Sequence, residues 1–126
     1  MLIDSNIIIY AAKAEYPQLR RFIEEHAPAV SAVSYVEVLG YHWLSEEERE
    51  HFETFFAASS ILAISEAVLG QAVKLRQRRK LTLGDALIAG TSLAHNLTLV
   101  TRNTKDFDWV EGSRVLNPLS SDEAAT

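Results

Sequence analysis

The chain has 126 residues, 48% of them hydrophobic, with a formal charge of −5 and no cysteine. A chain of this size fits one domain with a single core that buries roughly two-thirds of the unfolded surface; without cysteine, a disulfide framework, a zinc–thiolate site and cysteine nucleophilic chemistry are excluded. The acidic balance argues against coating nucleic acid by bulk charge, yet five of the twelve basic residues fall between Lys74 and Lys80, so any polyanion contact is expected to be local.

No apolar run approaches the roughly 20 residues of a membrane span, and the N-terminus has neither the basic region nor the small-residue cleavage site of a secretory signal. The expectation is a soluble, cytoplasmic protein without a membrane contact.

Met1–Asp4 reads as a buried strand, and residues from about Asn6 to Glu25 read as helical with a break near Pro17. The run Ile7-Ile8-Ile9-Tyr10 is ambiguous by periodicity alone. Pro28 introduces a second strand, Ala29–Val33, followed by an apolar helix from Ser34 to about Leu44 and an acidic one from Ser45 to about Ala58, where Ser45 before three glutamates is a strong helix start. Ile61–Ile64 is predicted as a third strand, Glu66–Lys80 as a helix, and Gly84–His95 as another with Asn96 at its C-cap. Leu97–Thr101 is the clearest strand, and Arg114–Asn117 before Pro118 is a short edge strand. Residues 1–119 make one domain, and 120–126 a frayed tail. Strands separated by helices in this rhythm require long crossovers, so the fold class is α/β: a central parallel sheet of about four to five strands with helices on both faces.

Four acids recur at the boundaries of these elements: Asp4, Glu37, Asp85 and Asp106. Asp4, Glu37 and Asp106 lie within a few residues of the ends of three different predicted strands, and a doubly wound sheet gathers such positions in the crevice outside its carboxyl edge. For any one acid alone, helix capping is a competing explanation: Ser34 to Glu37 and Thr82 to Asp85 have the capping-box spacing, and Asn103 to Asp106 nearly does. The capping-box spacing does not cover Asp4, which follows a buried strand and must be capped, paired or bound to a cation to offset its desolvation. His26, His42, His51 and His95 have no ligand spacing. A carboxylate cluster without histidines suits magnesium or manganese, and such sites activate water and offset charge during in-line displacement at a phosphodiester.

Leu2-Ile3-Asp4-Ser5-Asn6, Ser34-Tyr35-Val36-Glu37, Gly84-Asp85-Ala86-Leu87-Ile88-Ala89 and Thr101-Arg102-Asn103-Thr104-Lys105-Asp106-Phe107, in this order and across nearly the whole chain, resemble the PIN domain nucleases. Within them the chain is similar to the short stand-alone VapC-type toxins of prokaryotic toxin–antitoxin pairs. The resemblance implies an Mg²⁺- or Mn²⁺-dependent endoribonuclease restrained by a cognate antitoxin. In it, Asp4 and Asp85 are the principal metal ligands, and Glu37 and Asp106 complete the acidic pocket and orient water. Asn6 and Thr101 match polar positions lining the family's pocket, where they orient a carboxylate or a water. Ser5 stands where many relatives carry threonine, which preserves the hydroxyl. Asp106 occupies the family's most variable acidic position.

The basic run ahead of Asp85 offers Arg76, Arg78, Arg79 and Lys80 to an RNA backbone, although cations in a last helical turn also complement the helix dipole without any ligand. Tyr35, Tyr41, Trp43, Phe52, Phe55 and Phe56 concentrate in the third and fourth predicted helices, more than a small core absorbs, and part of that surface suits a homodimer, as the resemblance also implies. Two other readings compete. One is a PIN-like module that binds RNA or protein without cutting, which needs a lost acid where all four are present. The other is a receiver-like signalling domain, for which Thr101 and Lys105 fit but an acidic pair after the first strand is missing. No glycine-rich nucleotide loop is present.

Overall fold

Leu2 and Ile3 are fully buried and form β1 at the centre of a five-stranded sheet in the computed structural model, which describes residues 1–119. The other strands are β2 (Ala29–Ser31), β3 (Ile61–Leu62), β4 (Leu99–Val100) and β5 (Val115–Leu116). Their order is β3-β2-β1-β4-β5, and every pairing is parallel, with Leu2 opposite Ala29 and Leu99, and Ile3 opposite Val30 and Val100. From β1 the chain runs outward through β2 to β3, then crosses to the far side of β1 for β4 and β5. The reversal leaves a crevice between the carboxyl ends of β1 and β4, the place where open α/β sheets take ligands.

Side chains alternate across the sheet, so each face has its own apolar layer. Ile3, Val30 and Val100 point toward α1 (Ser5–Ala11), α2 (Pro17–His26), α3 (Ala32–Leu39) and α4 (Glu46–Ala57), which contribute Ile7, Ile8, Leu19, Val38, Phe52 and Phe56. Leu2 and Leu99 point the other way, toward α5 (Glu66–Arg78) and α6 (Leu83–Ala94), which contribute Leu75, Ile88 and Ala89. The single core expected from composition is thus two cores separated by the sheet. On the second face, a Cβ at Gly90 would lie 2.9 Å from the Val68 carbonyl oxygen, so α5 and α6 meet backbone to backbone.

Local chemistry sets the boundaries. Ile7–Tyr10 is helical because Asp4 caps α1, and Pro17 sits at the first position of α2, where its missing N–H is harmless. The second strand stops at Ser31 rather than Val33, since the Ser31 hydroxyl accepts the Val33 N–H at 3.1 Å and starts α3 early. That helix ends at Leu39, against Gly40, so Tyr41 and Trp43 lie in a turn and not in a helix. The expected cap at Asn96 is one residue beyond the His95 C-cap, with a left-handed φ of 53°. Strands are two or three residues long, shorter than their apolar runs. The tail expected from Ser120 to Thr126 lies outside the described residues. Among the described residues no helix is long and apolar enough to cross a membrane.

Candidate active site

Asp4 leaves β1 and immediately caps α1, its Oδ1 accepting the Ile7 N–H at 2.9 Å. Of the three ways to accommodate this carboxylate, capping is therefore one that the fold uses. It is also 7% exposed, and burial raises its pKa above the ordinary 3.8. Hydrogen bonds from Thr101 and the Ile7 N–H pull the other way, and the charges of Asp85 and Glu37 raise it further. Thr101 follows β4, the strand beside β1, and is fully buried. Its Oγ1 accepts the Asn103 N–H at 3.1 Å, which leaves the single hydroxyl proton for Asp4.

Asp85 enters from the first turn of α6, where its N–H donates to Thr82 Oγ1 at 3.1 Å. Burial is again the main cause of a raised pKa; the Thr82 hydrogen bond lowers it, and Asp106 and Glu37 push it up. Asp4 and Asp85 thus each feel Glu37, and Asp85 also feels Asp106, so the four acids drawn from four segments share one electrostatic environment.

Glu37 projects from α3 and is exposed. The Ser5 hydroxyl donates to its Oε1 at 2.6 Å and lies 2.9 Å from Ser34 Oγ. Its Oε2 occupies the space beside Gly84, where a Cβ would lie 2.6 Å away. Ser34 is therefore not the helix cap its spacing suggested: Ser31 caps α3, while Ser34 is buried within it and supports Ser5. Asp106 closes a short 3₁₀ turn (Thr104–Asp106) after β4 and is exposed; Trp109 Nε1 donates to its carbonyl oxygen at 2.8 Å. Asn103, one candidate cap for that turn, makes no side-chain capping bond. Asn6 is exposed in the first turn of α1.

The donor set is all oxygen, which suits a hard cation. Among the described residues no three acidic or histidine side chains form a group placed to hold one ion.

The basic run is largely engaged with its own chain. Arg76 Nε donates to the Leu81 carbonyl at 3.1 Å, Arg78 lies 3.9 Å from Glu111, and the Arg79 guanidinium sits over the Trp109 ring at 4.8 Å. Lys80 is exposed. Sequence reasoning passed over Ser5, Ser34 and Gly84 as supports of Glu37, because hydroxyls and glycines at helix starts have so many local uses.

The sequence model of the PIN domain matches residues 1–112. The chain belongs to the PIN domain family. No curated protein sequence matches it. Among solved structures this PIN domain is similar to a chain of a toxin–antitoxin complex from Klebsiella pneumoniae, 31% identical over 93% of this chain and 96% of that one, with a TM-score of 0.72. It also shares its fold with a chain of VapBC2 from Rickettsia felis bound to a promoter DNA fragment, at 23% identity, TM-score 0.82, and 92% and 96% coverage. A DNA-bound VapBC from Salmonella typhimurium gives 18% identity, TM-score 0.82, and 93% and 96% coverage.

Proposed function

We propose that this PIN domain is a divalent-metal-dependent endoribonuclease, a VapC-type toxin held in check by a cognate antitoxin. The observation that carries the reading is the burial of Asp4 and partial burial of Asp85 beside other carboxylates at the β1–β4 crevice, which raises the pKa of both, Asp4 beside Asp85 and Glu37, and Asp85 beside Asp106 and Glu37. Titratable groups perturbed by both desolvation and specific charges are candidates for chemistry. Asp4 and Asp85 would hold Mg²⁺ or Mn²⁺, with Glu37 and Asp106 completing the set; bound there, the ion offsets charge on the phosphodiester and acidifies an attacking water.

The chain's own residues supply the order. Thr101 and the Ile7 N–H fix the Asp4 carboxylate, so one of the ligands needs no rearrangement. Ser5 holds Glu37 Oε1 and Gly84 leaves room for Oε2, and from there the Glu37 carboxylate would orient a water and accept its proton. Asp106 and Asn6, both exposed, would line the open side. Lys80, with whatever donors Arg76, Arg78 and Arg79 retain, meets RNA phosphates ahead of Asp85. An apolar groove beside α1, lined by Ile9, Val38, Tyr41, Leu44 and Phe52, supports docking of an antitoxin segment, and the exposed Tyr35, Val36, Leu69 and Val73 on α3 and α5 support a homodimer. The nuclease domain is residues 1–119, acting in the cytoplasm.

The test is cleavage of pooled cellular RNA with Mn²⁺, Mg²⁺ or EDTA, beside folded Asp4→Asn and Asp85→Asn variants. Metal-dependent cutting lost in both variants is expected. Cutting that persists in both marks a contaminant, and complete inactivity after antitoxin removal favours a non-cutting RNA- or protein-binding module. The receiver-like alternative fares worse, since the PIN domain model matches residues 1–112.

A further inference from the structure

Arg102, the residue after Thr101, is half-buried and carries an unusual set of partners. Its guanidinium carbon lies 4.8 Å from the Tyr10 ring centroid and 5.4 Å from that of Tyr16, and its Nη1 donates to the Tyr16 hydroxyl at 3.2 Å. The two rings are themselves 5.3 Å apart. Lys13 Nζ approaches Tyr10 at 5.3 Å, and Arg20 Nη1 fastens the same turn by donating to the Ala11 and Lys13 carbonyls at 2.9 and 2.7 Å. Among the described residues no carboxylate pairs with Arg102 or Lys13. A guanidinium has five N–H donors in a planar fork; one is used by Tyr16, and the rings orient the group without neutralising it.

The position gives this cation a use. Tyr10 and Tyr16 pack on the α1–α4 face of the sheet, whereas Trp109, the platform for Arg79, packs on the α5–α6 face. The acids lie at the sheet edge between them. A strand of RNA laid across the crevice therefore meets fixed cations at both lips. We propose that Arg102, oriented by Tyr10 and Tyr16, binds a backbone phosphate of the RNA on the α1 side of the acidic crevice, opposite the basic run of α5. This inference rests on the ribonuclease reading and adds to it a residue outside the four acids and the α5 run. A planar fork with open donors suits a phosphate, and phosphate contacts set register without reading sequence.

The test measures binding of a fluorescently labelled single-stranded RNA to the full chain carrying Asp85→Asn, in EDTA, across a salt series, with and without changes at Arg102. Arg102→Ala is expected to weaken binding roughly tenfold and to lower the slope of log affinity against log salt by about 0.7, one counterion on single-stranded nucleic acid. Arg102→Lys should restore the slope. If the alanine variant does not fold, Arg102→Gln, which keeps an N–H for Tyr16 but no charge, decides by the same slope. An unchanged slope in a folded uncharged variant overturns the proposal, because a merely structural role predicts lower melting without altered counterion release. It is equally overturned if oligoglutamate peptide, and not RNA, depends on Arg102, since the lip then serves a protein partner. Should wild-type protein cut RNA while the slope is unmoved, only this inference falls; if wild type neither cuts nor binds RNA, the ribonuclease reading falls with it.

Discussion

Asp4 does two things with one carboxylate: it caps α1 through the Ile7 N–H, and it brings a buried negative charge to the crevice. The two uses separate on mutation. Asparagine caps a helix about as well as aspartate, so Asp4→Asn is expected to change unfolding free energy by less than about 0.5 kcal/mol, while RNA cleavage falls by about 100-fold or more; urea unfolding and an initial-rate assay check the pair. Acidity supplies a second expectation. For Asp4 and Asp85 the folded pKa is raised, so the folded state holds these protons when the unfolded chain has lost them. Their contribution to stability therefore declines as pH rises from the ordinary value of 3.8 through the raised folded values. A cation that replaces those protons gains from the same rise, and the increase in melting temperature caused by Mn²⁺ should grow as pH rises above the ordinary carboxylate value of 3.8 toward neutrality. A flat response by differential scanning fluorimetry would count against a shared site. At this scale the convergence of Asp4 with Asp85 and Glu37 was legible because each of these acids falls at or near a boundary between predicted elements. Ser34 was misread because its spacing to Glu37 fits a local bond, whereas its partner, Ser5, is 29 residues away.

Helix starts were the most legible elements, since their signals are local. Ser45 accepts the Glu48 N–H at 3.1 Å while the Ser45 N–H donates to Glu48 Oε1 at 3.0 Å, a complete capping box at the place the sequence predicts. Ser45→Ala is expected to cost about 1 kcal/mol, read from the urea midpoint. Strand lengths were not legible, because an apolar run continues past the last ladder bond into the helix that follows, as at Val33. Contacts between helices were also hidden. Gly90 reads as an ordinary helix interior, yet its Cα faces the Val68 carbonyl across α5, and backbone cannot swing aside as a side chain can. Gly90→Ala should therefore destabilise by about 1–3 kcal/mol, despite alanine's better helix propensity. At Gly84 the neighbour is a flexible carboxylate, so Gly84→Ala is expected to leave melting nearly unchanged while displacing Glu37 and lowering cleavage; thermal melting and initial rates separate the two glycines.

Across the molecule, like charges drawn from β1, α3, α6 and the turn after β4 meet at one edge of the sheet. A divalent ion binding the folded state alone should stabilise it by mass action, and Asp85→Asn should blunt that gain; melting scans with and without Mn²⁺ test it, and equal shifts in both proteins would place the ion elsewhere. Alternation of strands and helices made the parallel sheet legible, while the strand order was not, because nothing local tells a crossover which side of β1 to take. That order has a consequence for synthesis. β1 precedes the other strands in the chain yet sits in the middle of the sheet, and one of its two neighbours, β4, is made only after β2 and β3. Until Thr101 has emerged, the chain on the ribosome has Asp4 without its hydroxyl partner and the crevice without one wall. Long-range parallel pairing is also slow to form. The crevice therefore takes shape only after β4 has been made, and the carboxylate that leaves β1 waits through every intervening element for its neighbour.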